Sequence, residues 1–395
     1  MVEFFIGLYV FYVFAKISIS VLQYNFVSKI TQNSLKILDD SNFFVAKDYT
    51  LEKERLAIFS SMYDLAIFAF WIIFGFQFLT NMQLSDNYYI NSILIVESFV
   101  VINWFFGLPF EFYQTFKLDK KYGFSTITPQ IYLKDTMKSA ILFFVFGSLV
   151  IFALSWFIES FELWWILGAS FLIAVVILIN LAYPLIRDKM FDKFEPLKDQ
   201  ELNQKISTLL QSVGFASSGI FSVDASKRDN RLNAYFGGLG KTKRVVLFDT
   251  LIQKLSHNEL LAVLGHELGH FKNKDMIKNI FIMSGFIFAI FAIFGNVGCD
   301  SFEALSMPCN ASSWLIFIMI FSTPVLFFAM PIIWYFSRKN EFNADEFGSN
   351  LQSKEDLRSA LLKLANENKH FPYSHNLQIF FYYSHPPLTK RLERL

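Results

Sequence analysis

Long apolar blocks separated by polar links organise this chain. Seven of them, about 4–26, 57–80, 90–109, 139–158, 163–186, 277–296 and 313–336, come near the ~20 residues a helix needs to cross a hydrocarbon core. The first block is interrupted by Lys16 and Gln23. It lacks the charged leader and small-residue cleavage site of a signal peptide, so it reads as an anchor. The stretch 187–276 has a different texture. Ser256 followed by Glu259 is a capping-box pattern that opens the apolar run Leu260, Leu261, Val263 and Leu264, and Lys272 and Lys274 cluster where that helix should end. Upstream, Asn233–Phe236, then Gly237, Gly238 and Gly240, then the β-rich run Arg244–Phe248, predict a hairpin. The pattern therefore predicts a mostly α polytopic membrane protein of about seven transmembrane helices with an inserted α+β domain. Its divisions are 1–186, 187–276, 277–336 and a polar segment 337–395.

The charges between blocks give an independent reading. Lys29, Lys47, Lys53 and Arg55 follow the first block, Gln83–Tyr89 has no Lys or Arg, and Lys117, Lys120, Lys121 and Lys134 follow the third. Glu159–Glu162 again has no basic residue, 187–276 is rich in both charges, Cys299–Ser312 has none, and the tail from Arg338 is basic. Strict alternation of this kind puts the N-terminus outside, with 187–276 and the tail on the cytoplasmic side. Composition agrees with a lipid bilayer as the partner: 54% of residues are hydrophobic and 50 are Phe. A net charge of +1, with no basic patch interleaved with aromatics, excludes nucleic acid. The two cysteines, Cys299 and Cys309, share one extracytoplasmic link, where a disulfide and free thiols are both permissible.

Chemistry enters at His266-Glu267-Leu268-Gly269-His270. Histidines four apart on a helix project from one face, so both imidazoles reach a single Zn²⁺. Glu267, about 100° round the helix, can deprotonate a water held there. With six histidines in the chain, an accidental match is expected roughly once in a few hundred such sequences, and the zincin reading prevails. Zinc hydrolases need a third protein ligand and an open position. Downstream candidates are Glu341, Glu346, His370, His375 and His385. Glu341 and Asp345 share a helix face, so a ligand carboxylate and a carboxylate holding a histidine N–H could act together. A solvated acidic face is the plain alternative.

Further motifs make the resemblance specific. Tyr122-Gly123-Phe124-Ser125-Thr126 follows the third block, and Phe191-Asp192-Lys193-Phe194-Glu195-Pro196-Leu197 follows the fifth. Asp224-Ala225-Ser226-Lys227-Arg228 leads to Asn233-Ala234-Tyr235-Phe236, and Ser337–Asp345 and Tyr383-Ser384-His385-Pro386-Pro387 complete the set. In content and order these resemble the integral-membrane CAAX prenyl proteases, seven-span zinc endopeptidases with a gluzincin-like domain. The resemblance implies Glu341 as third ligand with Asp345 behind it, one Zn²⁺ per chain, and Arg338 bracing the carboxylates. It implies Asn233, Ala234 and Tyr235 as an edge strand along which a peptide lies, and His385 as donor to the oxyanion. It also implies a large water-filled chamber that Lys16, Asp64 and Glu97 could line. His257, His370 and His375 read as ordinary residues.

The expected activity is hydrolysis of peptide bonds in a peptide or protein substrate, lipidated or not, by a monomer with Glu267 as general base. Short extracytoplasmic links and the lack of an ER-retrieval tail suggest a bacterial member in the inner membrane, with the zinc site facing the cytoplasm. A heat-shock-type membrane zinc protease shares the zinc motifs but has about four spans. A seven-span receptor or transporter with structural zinc would need four protein ligands, often cysteines, and none lies on the cytoplasmic side.

Overall fold

A computed structural model describes residues 1–31, 37–238 and 243–395, excluding the side chains of 183–185 and 187–189. Gly240 of the expected hairpin lies outside the described residues. Among the described residues seven helices are long and apolar enough to span a bilayer: Val2–Lys29, Asp40–Thr80, Tyr88–Lys121, Pro129–Ser160, Trp164–Ala182, Asp275–Phe294 and Ala311–Leu351. They match the seven apolar blocks one for one, and several run past them. The second begins at Asp40 rather than near 57, and the seventh continues to Leu351. These extensions carry the polar residues that a hydropathy pattern leaves out, and helical hydrogen bonding does not stop at a membrane surface.

The spans pack around an aromatic core in which Phe5, Phe294, Phe317 and Phe321 meet ring to ring. Lys16 pairs with Asp64 at 3.2 Å between the first two spans. Glu97 accepts from Ser148 Oγ at 2.6 Å, joining the third span to the fourth. In the link between the sixth and seventh spans Cys299 and Cys309 are joined as a disulfide.

The inserted domain is built on a four-stranded sheet of β1 (Phe194–Pro196), β2 (Ile220–Val223), β3 (Ala234–Gly237) and β4 (Arg244–Phe248), in the order β1-β2-β4-β3. β1 runs antiparallel to β2, β2 parallel to β4, and β4 antiparallel to β3 with Ala234 opposite Leu247. Every residue of β4 is buried, and β3 forms one edge of the sheet. The loop after the third span clips onto this domain. Thr126 N–H donates to Arg228 O, Asn230 N–H donates to Phe124 O, and Arg228 pairs with Asp135 at 2.7 Å and Asp192 at 3.3 Å. Two of the motifs carrying the family resemblance, 122–126 and 224–228, are thus braces between membrane helices and sheet.

Candidate metal centre and active site

The metal helix is His257–Lys272, and its start is the capping box the sequence announces. Glu259 N–H donates to Ser256 Oγ at 3.4 Å, while the Glu259 carboxylate accepts from Ser256 N–H at 2.7 Å. The same carboxylate accepts from Ser359 Oγ at 2.6 Å and Lys363 Nζ at 2.7 Å, fastening the metal helix to helix Lys354–Glu367.

Small residues bring this helix onto the polar C-terminal extension of the seventh span. A Cβ on Gly269 would lie 2.8 Å from Ala344 Cα, and one on Gly348 would lie 2.6 Å from the backbone nitrogen of His266. Gly265 meets Gly348 in the same way, at 3.2 Å. With no side chain between them, the two backbones touch along a seam of residues four apart. That contact sets His266 and His270 against Glu341 and Asp345.

His266 Nε2 is 3.5 Å from Glu341 Oε2, and His270 Nε2 is 3.1 Å from Glu341 Oε1. One ligand atom from each of the three residues lies within 4.8 Å of the others. Each imidazole is held from behind: His266 Nδ1 by Asp345 Oδ1 at 2.8 Å, and His270 Nδ1 by Asp275 Oδ2 at 3.0 Å. That leaves both Nε2 atoms facing one point, the orientation that metal-ligating histidines adopt. Glu341 is buried, and its Oε2 has no hydrogen-bond partner among the described residues. A buried carboxylate oxygen so exposed to desolvation cost calls for a cation. Two imidazoles and one carboxylate fit zinc, and no fourth protein ligand joins them among the described residues.

Arg391 lies between the carboxylates. It donates from Nε and Nη2 to Asp345 at 2.8 and 2.6 Å, and its Nη1 is 3.5 Å from Glu341 Oε2. Arg338, expected to brace these carboxylates, does not. Its Nη1 donates to the carbonyls of Ile379 at 3.2 Å and Tyr383 at 2.7 Å, at the end of helix Asn376–Tyr382. Carbonyls at a helix C-terminus carry the negative end of the helix dipole and attract a guanidinium, which accounts for the correction. Asp275 and Arg391 are the two site residues that sequence reasoning missed. Position five after His270 would have hinted at Asp275; Arg391 carries no local signal.

A cavity of about 190 Å³ opens beside the centre. Its walls bring together Asn233, Ala234, His266, Glu267, His385 and Arg391. Burial is the largest influence on the Glu267 carboxyl and pushes its pKa up, against the pull of the two histidines. For His270, burial alone would lower the pKa, but Glu341 and then Asp275 raise it to about 9. Burial lowers that of His385, whose Nε2 is 3.2 Å from Glu341 Oε1 and whose Nδ1 is 2.8 Å from Ser384 Oγ. Asn233 is exposed and its side-chain oxygen accepts from Ala234 N–H at 2.9 Å. Tyr235 lies outside the cavity walls, its ring edge-on to Phe248.

Fold and site together define a polytopic membrane metalloendopeptidase. Comparison with known proteins makes the class particular. The pattern described as CAAX prenyl protease N-terminal, five membrane helices, matches residues 5–193, and that of peptidase family M48 matches residues 196–395. The CAAX prenyl protease 1 homolog of Mus musculus is 31% identical, over 94% of this chain and 90% of its own length. CAAX prenyl protease 1 of Saccharomyces cerevisiae is 31% identical, over 91% of this chain and 86% of its own. The crystal structure of S. mikatae Ste24p superposes with a TM-score of 0.85 at 28% identity, covering 100% of this chain and 97% of that one. The chain belongs to peptidase family M48, in its CAAX prenyl protease branch.

Proposed function

We propose that this membrane metalloendopeptidase is a zinc enzyme that trims the C-termini of lipidated polypeptides, with His266, His270 and Glu341 as metal ligands. The observation that carries the reading is the convergence of three ligand atoms on one point, with Glu341 Oε2 buried and accepting no hydrogen bond among the described residues. When bound, zinc supplies Lewis acidity, bringing a ligated water towards a pKa of about 7 and polarising the scissile carbonyl. Glu267 takes the proton from the attacking water and passes it to the leaving amine, a role that its burial-raised pKa suits. Asp345 and Arg391 hold His266 and Glu341 in place. His385, at the cavity wall, donates to the oxyanion.

The unpaired edge of β3 receives the peptide backbone. In an antiparallel pair, alternate residues face the partner strand, and Asn233 O already accepts from Phe248 N–H. The Ala234 carbonyl and the Phe236 amide group are therefore turned to the open edge, while Ala234 N–H is held by Asn233 Oδ1, and strand addition there would register the substrate over the metal. A lipid chain has a place in the bundle. A hollow of about 940 Å³ among the third to seventh spans is walled by residues such as Val96, Phe146, Leu149, Phe171, Phe291 and Ile318. The relatives are named prenyl proteases, and an isoprenyl group is the lipid proposed here. Basic links on alternate sides support an N-terminus outside and a metal centre on the cytoplasmic face.

The test uses the purified protein in detergent. Wild type is expected to hold one zinc per chain and to cleave an isoprenylated CAAX peptide at least about 10-fold faster than its unlipidated counterpart. Glu267→Gln should keep the zinc and lose roughly 10³-fold or more in turnover. Equal rates on the two peptides would remove the lipid from the proposal. Full turnover in Glu267→Gln would remove the mechanism.

A further inference from the structure

Both imidazoles of the centre are held from behind by a carboxylate, and the two carboxylates come from different membrane helices. Asp345 belongs to the seventh span, four residues after Glu341, on the face already turned to the metal helix. Asp275 is the first residue of the sixth span, Asp275–Phe294. Between it and the end of the metal helix at Lys272 the chain turns through Asn273 and Lys274, and Lys274 stands in the left-handed region at φ 55°. A lysine is a poor occupant of that conformation, and such residues persist where the surroundings over-determine them. The result of the turn is specific: the Asp275 carboxylate swings back under the helix it follows and meets His270 Nδ1 at 3.0 Å.

Asp275 is only 3% exposed. A carboxylate so buried needs partners, and it has two. One oxygen faces His270 and the other accepts from Lys278 Nζ at 3.0 Å, one helical turn onward. An acidic residue in the first turn of a helix has an ordinary meaning, which is to complement the helix dipole. That meaning does not require the side chain to leave the helix axis and engage the imidazole of the preceding helix. The geometry at His270 mirrors that at His266, where the same kind of bond leaves Nε2 aimed at Glu341.

We infer that Asp275 is a positioning residue for the metal. Its carboxylate fixes the Nδ1–H tautomer of His270 and the ring's orientation, sets metal affinity, and moors the metal helix to the entry of the sixth span. The inference rests on the metal centre proposed above and deepens it. The sixth span thereby becomes part of the metal site without contributing a ligand, and the centre is suspended between two membrane helices.

The experiment compares full-length wild type with Asp275→Asn, Asp275→Ala and Lys278→Ala in detergent, after removal of metal by chelation. Zinc affinity is read by competition with a chromophoric chelator, and geometry by the visible spectrum of the cobalt-substituted protein. Asparagine keeps an acceptor and a good helix start, so a purely structural role predicts no change in that variant. The positioning role predicts about 10-fold weaker zinc binding for Asp275→Asn and up to about 100-fold for Asp275→Ala. It also predicts an altered cobalt spectrum, with the metal-free Asp275→Asn protein melting as wild type does. Lys278→Ala, which leaves the His270 bond intact, should bind zinc as wild type does. Wild-type affinity and an unchanged cobalt spectrum in Asp275→Asn would overturn the inference while the metal centre stands. Failure of wild type itself to take up zinc would overturn both. Should Asp275→Ala not fold, Asp275→Asn carries the comparison alone.

Discussion

Arg391 faces two carboxylates that would otherwise repel one another across the metal site. It meets Asp345 through two charge-assisted bonds and stands 3.5 Å from Glu341. Replacing it with Gln leaves Asp345 buried and short of charge compensation, so zinc affinity should fall by about 10-fold, checked by chelator competition. Wild-type affinity would show that Asp345 holds His266 unaided. Glu259 yields a prediction in pH. Burial would raise its carboxyl, but the bonds from Lys363, Ser359 and Ser256 win and hold it at about 2, below the ordinary 4.5. A carboxylate depressed on folding gives stability that is complete above about pH 4.5 and is lost as pH falls towards 2. Glu259→Gln should therefore melt below wild type at neutral pH, and the two melting temperatures should converge in acid. A gap that persists at low pH would assign the loss to packing. These residues differ in legibility. His266, Glu267, His270 and the Ser256–Glu259 cap are written at fixed local spacings, and helices translate spacing directly into geometry. Arg391 takes the place expected of Arg338, because which guanidinium reaches a carboxylate is settled by where the C-terminal segment folds back, and no spacing encodes that.

At the level of elements, the decisive contact is the seam between the metal helix and the seventh span. Gly269 sits inside the metal motif and reads in the sequence as filler between Leu268 and His270. In the fold it is where Ala344 presses, and Gly348 is where the backbone of His266 presses. A Gly348→Ala methyl would lie 2.6 Å from that nitrogen and must push the two helices apart. The strain of overfilling such a contact is about 1–3 kcal/mol, and even a shift on the order of 1 Å at the ligands should lower kcat/KM by 10²-fold. Gly107, which has nothing within 4 Å, is the control, and Gly107→Ala should leave kcat/KM unchanged. Equal activity in both variants would show that the seam does not set the ligand geometry. Hydropathy located the spans because a bilayer selects for length and apolarity. It did not locate their polar extensions, and these carry Glu341, Asp345 and the brace at Asp135. Polar helical turns outside lipid have no hydropathy signature.

For the whole molecule, two features bear on the proposed direction across the membrane. Lysines and arginines crowd the links on the metal side, and the Cys299–Cys309 disulfide lies in the link between the sixth and seventh spans. In sealed cells, a membrane-impermeant phosphine followed by an impermeant maleimide should therefore label these two cysteines from outside. Labelling only after permeabilisation would invert the topology. The order of elements and the composite nature of the site were readable from the chain, since each motif kept its place relative to the apolar blocks. The way distant segments close on one another was not, because Asn368 meeting Leu232, or Lys363 meeting Glu259, depends on packing between segments more than a hundred residues apart. One consequence concerns the 41-residue helix Ala311–Leu351, which begins in the link carrying the disulfide and ends beyond Glu341 and Asp345. Such a rod tilts when the lipid around it thins or thickens, and its far end moves most. Turnover should thus respond to acyl-chain length in reconstituted vesicles, making hydrolysis a gauge of the surrounding lipid.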